Sequence, residues 1–97
     1  MFGTVAIIKP NPGQEQAIAD KLNEWWETRR TQIDGALSSA IHRNGQELIL
    51  SVVFDNEEHY RTNADDPAQD AWYREIRAMM AEDPRWLDGE VLAFRHT

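Results

Sequence analysis

One stretch of eight residues limits the fold of this chain more than any other. Glu47–Phe54 is rich in β-branched and large apolar residues, which predicts a β-strand. Asn44-Gly45 before it is typical of a two-residue hairpin turn, so Ala36–Arg43 is predicted to be the partner strand. Apolar side chains fall on both faces of the predicted strand: Leu48, Leu50, Val52 and Phe54 on one, Ile49 and Val53 on the other. A sheet built on such a strand needs a cover on each face.

Two longer segments have the periodicity of amphipathic helices. Gln14 to about Arg30 is predicted to form a helix whose apolar stripe contains Ile18, Leu22 and Trp25. The second segment begins where Asp66 can cap the free N–H groups and Pro67 suits the first helical position. It is predicted to run to about Glu82, with a stripe of Trp72, Ile76, Met79 and Met80.

The remaining elements complete an alternation of strands and helices. Phe2–Lys9 predicts a first strand, Asp55 is the expected cap of a short helix to about Asn63, and Asp88-Gly89 predicts a turn before a last strand at Glu90–Arg95. The order is that of a ferredoxin-like βαββαβ fold of the α+β class. It has a four-stranded antiparallel sheet with two helices on one face. A chain of 97 residues has room for a single domain, 1–97.

The first and last predicted strands are also apolar on both faces. The alternating residues are Val5 and Ile7 against Ala6 and Ile8, and Val91 and Ala93 against Leu92 and Phe94. Two helices on one face leave the other face uncovered, and a second copy of the chain is the simplest cover. We therefore expect a homodimer.

Composition and charge narrow the possible partners. The net charge of −7 comes from acidic residues spread along the chain, so we expect no nucleic-acid partner. The N-terminal Met1–Lys9 has no basic leader and too short an apolar run for a signal peptide or membrane span. We therefore expect a cytoplasmic protein with no membrane partner.

Metal and cofactor chemistry is not expected either. The chain has no cysteine, which removes thiolate ligands and disulfides. Its three histidines, His42, His59 and His96, are far apart and form no i, i+4 pair on a helix. The sequence predicts no metal and no cofactor.

Four motifs make the chain resemble the antibiotic-biosynthesis-monooxygenase-like proteins over nearly its whole length. They are Gly3-Thr-Val-Ala, Pro12-Gly13, Asn63-Ala-Asp-Asp-Pro-Ala-Gln-Asp-Ala-Trp-Tyr and Asp83-Pro-Arg-Trp-Leu-Asp-Gly-Glu. The resemblance implies a dimeric α+β barrel in which each protomer has a pocket between its sheet and its helices. Members of this group include phenol oxygenases that need no metal or flavin, haem-degrading enzymes and isomerases.

The resemblance also implies where site residues would lie. The haem-degrading members carry Asn, Trp and His at places that correspond here to Ile7, Tyr60 and Tyr73, so haem is not expected. The phenol-oxidising members have an Asn and a Trp four residues apart after the third strand. Asn56 and Tyr60 have that spacing in this chain.

Aromatic residues beside the helical stripes are the candidate pocket wall. Successive helical residues point about 100° apart, so Trp26 and Tyr73 are expected at the edges of stripes centred on Trp25 and Trp72. We predict a substrate pocket walled by Trp26, Tyr60, Trp72 and Tyr73. The catalytic candidates are His59 as a base and Asn56 as the holder of an oxygen atom.

Three functions remain open at this point. The first is cofactor-independent oxidation of a small aromatic or phenolic compound, and the second is a non-catalytic ligand-binding or structural dimeric domain. The third is a cofactor-free isomerase, which also needs one base. The packing alternative applies to Trp72 in particular, because it lies on the core stripe of its helix.

Overall fold

A four-stranded antiparallel sheet with helices packed on one face forms the framework of this computed structural model, which describes residues 1–95. The elements in chain order are β1 (Phe2–Ile8), α1 (Glu15–Arg29), β2 (Ala36–Asn44), β3 (Glu47–Phe54), α2 (Glu57–Ala64), α3 (Pro67–Arg77) and β4 (Arg85–Glu90). A short 3₁₀ turn at Arg30–Gln32 follows α1. The predicted α+β fold is confirmed, with the second helical position divided between α2 and α3.

The strands lie in the order β2-β3-β1-β4, and each neighbouring pair is antiparallel. Ala6 in β1 lies opposite Leu50 of β3 on one side and Trp86 of β4 on the other. This is the ferredoxin-like arrangement, in which each helical crossover joins strands that are not neighbours. The hairpin between β2 and β3 is confirmed, but its two-residue turn is Gly45-Gln46 and not Asn44-Gly45, because Asn44 ends β2 and pairs with Glu47. Gly45 is in the left-handed region at a φ of 63°.

The core lies between the sheet and the two long helices. Ile18 of α1 and Ile76 of α3 are both buried. They form one cluster with Met80 and with four strand residues, Ala6, Ile8, Leu48 and Leu50. The amino group of Lys21 lies 2.8 Å from a Glu75 carboxylate oxygen, which links α1 to α3 on the outside. The predicted stripes therefore face the sheet, as their spacing indicated.

The N-terminal cap of α3 is the residue that the sequence predicted, whereas the cap of α2 is a different residue. The Asp66 carboxylate accepts the Ala68 N–H of α3 at 2.8 Å, as predicted. The cap of α2 is Asn56 rather than Asp55, because the Asn56 side chain accepts the His59 N–H at 2.8 Å. Asp55 is held elsewhere, since its own N–H donates to the Gly35 carbonyl at 2.8 Å.

The predicted last strand at Glu90–Arg95 is wrong. The strand that pairs with β1 is Arg85–Glu90, so Asp88-Gly89 lies within β4 and forms no turn. The reason is long-range pairing, because Phe2–Ile7 of β1 pairs continuously with Arg85–Glu90. An apolar run in the sequence does not by itself determine which strand it pairs with or in which register.

The second long helix is shorter than expected. It ends at Arg77 rather than near Glu82. The Met79 and Met80 N–H groups bond to the carbonyls three residues earlier, which tightens the chain into a turn. The Ala81 N–H then donates to the Lys9 carbonyl at 2.8 Å, so this segment is held by the end of β1.

We call the face of the sheet opposite α1 and α3 the outer face. Val5, Ile7, Ile49 and Val53 lie on it by strand alternation and are partly exposed. Leu87 of β4 pairs with Val5 and is 47% exposed. Two-sided apolar character is thus confirmed for β1 and β3. In the fourth strand the apolar residue on the outer face is Leu87, whereas the sequence predicted that Val91–Phe94 would provide the apolar residues of that strand.

Candidate functional site

A cavity of about 420 Å³ lies between the sheet and the helices. Most of its wall is apolar, and the apolar members come from the sheet, the helices and the segment between α3 and β4: Ile8, Leu22, Trp25, Leu50, Val52, Phe54, Ala64, Trp72, Tyr73, Ile76, Met80, Pro84 and Trp86. The polar members are Thr4, Ser39, Tyr60, Asn63, Gln69, Asp70 and Asp88. This is the place between sheet and helices where the sequence predicted a pocket.

Four aromatic rings form two pairs along the wall. The rings of Trp25 and Trp72 lie 5.3 Å apart, centroid to centroid, where α1 meets α3. The Tyr73 ring lies 6.5 Å from that of Trp86, which is 46% exposed on β4. Tyr60, Trp72 and Tyr73 therefore lie where the sequence predicted them, on the cavity wall.

The predicted position of Trp26 on this wall is wrong. Trp25 lines the cavity and is only 8% exposed, whereas Trp26 is partly exposed and is not among the described lining residues. The two rings are 6.5 Å apart. The cavity lies beneath the centre of the α1 stripe and not at its edge, so the residue on the stripe faces it. The i, i+7 spacing of Ile18 and Trp25 was the signal for this placement.

A hydrogen-bonded cluster forms the polar end of the cavity. The hydroxyls of Thr4 and Tyr60 both donate to the same oxygen, Oδ1 of Asp88, at 2.6 Å and 3.0 Å. The Arg61 guanidinium lies 3.5 Å from the other oxygen, Oδ2. Thr4 is 5% exposed, and it lies directly opposite Asp88 in the register of β1 and β4. A buried hydroxyl of this kind needs a partner, and Asp88 supplies it.

Sequence reasoning missed Thr4 and Asp88. Asp88-Gly89 has the composition of a turn, and 84 positions separate the two hydrogen-bonding residues. The available signal was Thr4 itself, since it is the polar member of a strand face that continues with Ala6 and Ile8.

Rings and charge hold Tyr60 in place. Its ring centroid lies 5.2 Å from that of Phe2 and 5.7 Å from that of Phe54. The Arg61 guanidinium lies over the Tyr60 ring at 5.3 Å. Burial is the main cause of the raised pKa of Tyr60, the nearby Thr4 hydroxyl works against it, and the hydrogen bond to Asp88 adds to it. Burial likewise raises the pKa of Tyr73, so both phenols keep their protons near neutral pH.

The two predicted catalytic residues lie outside the cavity. The His59 Nδ1 is 2.6 Å from the Asp55 Oδ1, and this hydrogen bond is the main cause of the raised pKa of His59. His59 borders a separate pocket of about 90 Å³, beside Thr62 and Asp66. The Asn56 side chain is used in capping α2. Neither residue is among the described lining residues of the large cavity.

Two polar atoms on residues of the cavity wall are buried without a hydrogen-bond partner among the described residues. They are the indole nitrogen of Trp25 and the amide oxygen of Gln69. In a capping box the Gln69 amide oxygen would accept the Asp66 N–H. Only the Asp66 half of such a box is formed, because the Asp66 N–H donates to the Asn63 carbonyl at 3.2 Å.

The part of the chain that the structure describes, residues 1–95, shows no metal centre and no membrane span. In that range no group of three His, Cys, Asp or Glu side chains could hold a metal ion. His96 lies outside the described residues. No helix within the same range is long and apolar enough to span a bilayer.

Comparison with known proteins gives a fold-level match. No family model matches the chain. No curated protein sequence matches it either. Several solved structures do match over nearly their whole length.

A proposed antibiotic biosynthesis monooxygenase from Chloroflexus aurantiacus is 16% identical, with a TM-score of 0.80 over 98% of this chain and 96% of that one. A second, from Nitrosomonas europaea, is 12% identical, with a TM-score of 0.81 over 96% of this chain and 100% of that one. A third, from Deinococcus radiodurans, is 13% identical, with a TM-score of 0.81 over 100% of this chain and 98% of that one. At such identities the likeness establishes the fold and not an activity. The chain therefore has the fold of the antibiotic-biosynthesis-monooxygenase-like proteins, as the sequence resemblance predicted.

Proposed function

We propose that the protein binds a small aromatic or phenolic compound in the large cavity and oxidises it with dioxygen, without haem, flavin or metal. The observation that carries this proposal is the cavity of about 420 Å³, with its aromatic wall and hydrogen-bonded polar end. Pockets that hold small ligands have this size and this mainly apolar character. The names of the structural neighbours support the oxidation step by analogy alone.

Such an oxidation balances without an external reductant. When a phenol is converted to a quinone, one atom of O₂ becomes the new carbonyl oxygen. The other leaves as water with the ring hydrogen and the phenolic hydrogen. The protein has to bind the phenol and accept a proton, and Asp88 on the cavity wall takes the role expected of His59. Tyr60, Trp72 and Tyr73 are the proposed binding residues.

A binding protein without catalysis is the second candidate. The observation that favours it is the position of His59, which is hydrogen-bonded to Asp55 and directed to a different pocket. In this alternative the cavity holds its guest and Asp88 is only a hydrogen-bond acceptor.

Oxygen consumption tests the two candidates together. Purified protein is mixed with a panel of phenols and naphthols in an oxygen electrode, and product is followed by absorbance. An oxygenase consumes one O₂ per quinone formed, and Asp88→Asn abolishes this while Asp65→Asn does not. Asp65 is a matched control because it is exposed and does not line the cavity. Binding without uptake favours the second candidate, and neither binding nor uptake contradicts both.

We also propose that two copies of the chain pair through their outer faces. The support is the apolar character of Val5, Ile7, Ile49 and Val53, whose face of the sheet is opposite to α1 and α3. Sheets of this kind are usually covered on both sides. Light scattering should give about twice the chain mass of 11.2 kDa, and a monomer at micromolar concentration would contradict the proposal.

A further inference from the structure

The polar end of the cavity has used all of its own hydroxyl protons. Thr4 and Tyr60 each have one hydroxyl proton, and both are donated to Asp88 Oδ1. An ionised carboxylate only accepts hydrogen bonds. This end therefore presents lone pairs to a guest: those of the two hydroxyl oxygens and the remaining one of Asp88 Oδ2.

The charged residues around the cavity also disfavour a guest that carries a negative charge. Asp70 and Asp88 are both on the wall, and the described lining residues include no Lys, Arg or His. Arg61 is exposed, lies outside that wall and pairs with Asp88 Oδ2, while Arg74 pairs with Asp70 at 3.0 Å. An anionic group at the polar end would lie beside the Asp88 carboxylate and would meet no cation among the described lining residues.

The cluster is also held rigidly. Thr4 is in the central strand β1, Asp88 is paired to it across the sheet, and Tyr60 is packed against two phenylalanine rings. A receptor that keeps its acceptors in place gives a larger preference than one that can reorient a hydroxyl to suit each guest.

We propose that Asp88, with Thr4 and Tyr60, makes the polar end of the cavity selective for an uncharged aromatic head group that brings its own hydrogen-bond donor, and selective against an aromatic carboxylate. Asp88 is the specificity-determining residue, because it orients both hydroxyl protons away from the guest. This inference rests on the proposed binding of a small aromatic compound in the same cavity.

Four probes that differ only in the head group test the inference. They are 4-propylphenol, 4-propylaniline, 4-propylanisole and 4-propylbenzoate, measured by calorimetry and by ligand-observed NMR at pH 7. The phenol and the aniline have a donor, the anisole has only an acceptor, and the benzoate is an anion. We expect the phenol to bind about 3- to 10-fold more tightly than the anisole, the worth of one hydrogen bond. The benzoate should be the weakest of the four.

Variants locate the preference. Asp88→Asn supplies an N–H₂ group and removes the charge, so the phenol-to-anisole ratio should fall to about 2-fold or less and the benzoate should gain affinity. Tyr60→Phe removes the phenol oxygen but frees a lone pair of Asp88 Oδ1 that a guest donor can use, so the preference for the phenol over the anisole should persist. Asp65→Asn changes the net charge equally and should leave all ratios as in the wild type.

The outcomes separate this inference from the function on which it rests. Equal binding of all four probes to the wild-type protein overturns the donor selectivity but leaves an aromatic-binding cavity. Failure of every probe to bind, the anisole included, overturns both. If Asp88→Asn does not fold, the wild-type series and Tyr60→Phe still decide, since a phenol preference that disappears in Tyr60→Phe would belong to Tyr60 and not to Asp88, which contradicts the inference.

Discussion

The indole rings of Trp25 and Trp72 lie 5.3 Å apart and join α1 to α3 above the cavity. Trp25 is the more deeply buried of the two adjacent tryptophans of α1, since Trp26 is partly exposed. The cavity wall and the packing of the two helices thus depend on the same side chain.

Truncation of these two adjacent tryptophans should have unequal effects. Trp25→Ala removes a buried ring from the contact between the helices, and we expect it to lower the free energy of unfolding by about 3–5 kcal/mol. Trp26→Ala, its matched control, should cost roughly 1 kcal/mol. Urea denaturation followed by circular dichroism measures both. Equal losses, or a larger loss for Trp26→Ala, would contradict the assignment of Trp25 to the cavity wall.

The tryptophan pair shows what sequence periodicity resolves. The stripe of Ile18, Leu22 and Trp25 identified the buried face of α1, and Glu47–Phe54 matched β3 at both ends. The side of the stripe on which a cavity opens depends on how helix and sheet are spaced, and no local pattern records that distance. The sequence therefore found Tyr60, Trp72 and Tyr73 but chose the wrong member of the Trp25–Trp26 pair.

Long-range strand pairing explains the other failure. An apolar run at Val91–Phe94 has a stronger strand signal than Arg85–Glu90, which contains Asp and Gly. The pairing partner outweighed this propensity, because β1 bonds with Arg85–Glu90 along most of its length. The sequence did not predict the polar end of the cavity for the same reason, since Asp88 lies opposite Thr4 only in this register of β1 and β4.

Removal of the Thr4 hydroxyl should destabilise the fold through Asp88. Thr4→Val leaves the carboxylate without its shortest hydrogen bond, and we expect a loss of about 1.5–3 kcal/mol in the free energy of unfolding. The exposed Thr62 of α2 gives the control, because Thr62→Val should change stability by less than about 0.5 kcal/mol. Urea midpoints compare the two, and equal midpoints would show that the Thr4–Asp88 hydrogen bond has no net worth.

A substitution at Gly35 should test a crowded turn. Gly35 has a φ of 79°, and a Cβ there would meet the side chains of Asp55 and His59. Gly35→Ala should therefore cost more than left-handed strain alone, roughly 2–4 kcal/mol in total. Gly13 has a φ of 82°, and a Cβ at that position would have no neighbour within 4 Å, so Gly13→Ala should cost only about 1 kcal/mol. Thermal or urea unfolding of both variants measures the difference, which isolates the steric part.

The Asp55–His59 pair should make stability depend on pH. The pKa of His59 is raised in the folded state, chiefly by its hydrogen bond with Asp55. The folded protein therefore holds this proton more tightly than the unfolded chain does. The stabilisation is fully present below the unfolded pKa of about 6.5 and is lost as the pH rises through the higher folded value. Urea midpoints between pH 5.5 and 8.5 should show this fall, and His59→Gln should remove it. An NMR titration that places the His59 pKa below 6.5 would contradict the prediction.

A charge on the outer face should separate the proposed dimer into monomers. Val5 lies on the central strand β1, between Ser51 of β3 and Leu87 of β4, so it is near the middle of that face. Val5→Lys would place an ammonium group in an apolar interface, where an unpaired charge is strongly disfavoured. In an isolated chain the same side chain would extend into water at little cost.

The expected result is a halved mass by light scattering or sedimentation, with an unchanged far-ultraviolet circular dichroism spectrum. Leu92→Lys is the control, because Leu92 is 90% exposed and follows β4. It should leave the mass at about twice 11.2 kDa. A Val5→Lys protein that keeps the dimeric mass would show that the copies pair through another surface. A wild-type monomer would leave the outer face without the partner that its apolar residues require.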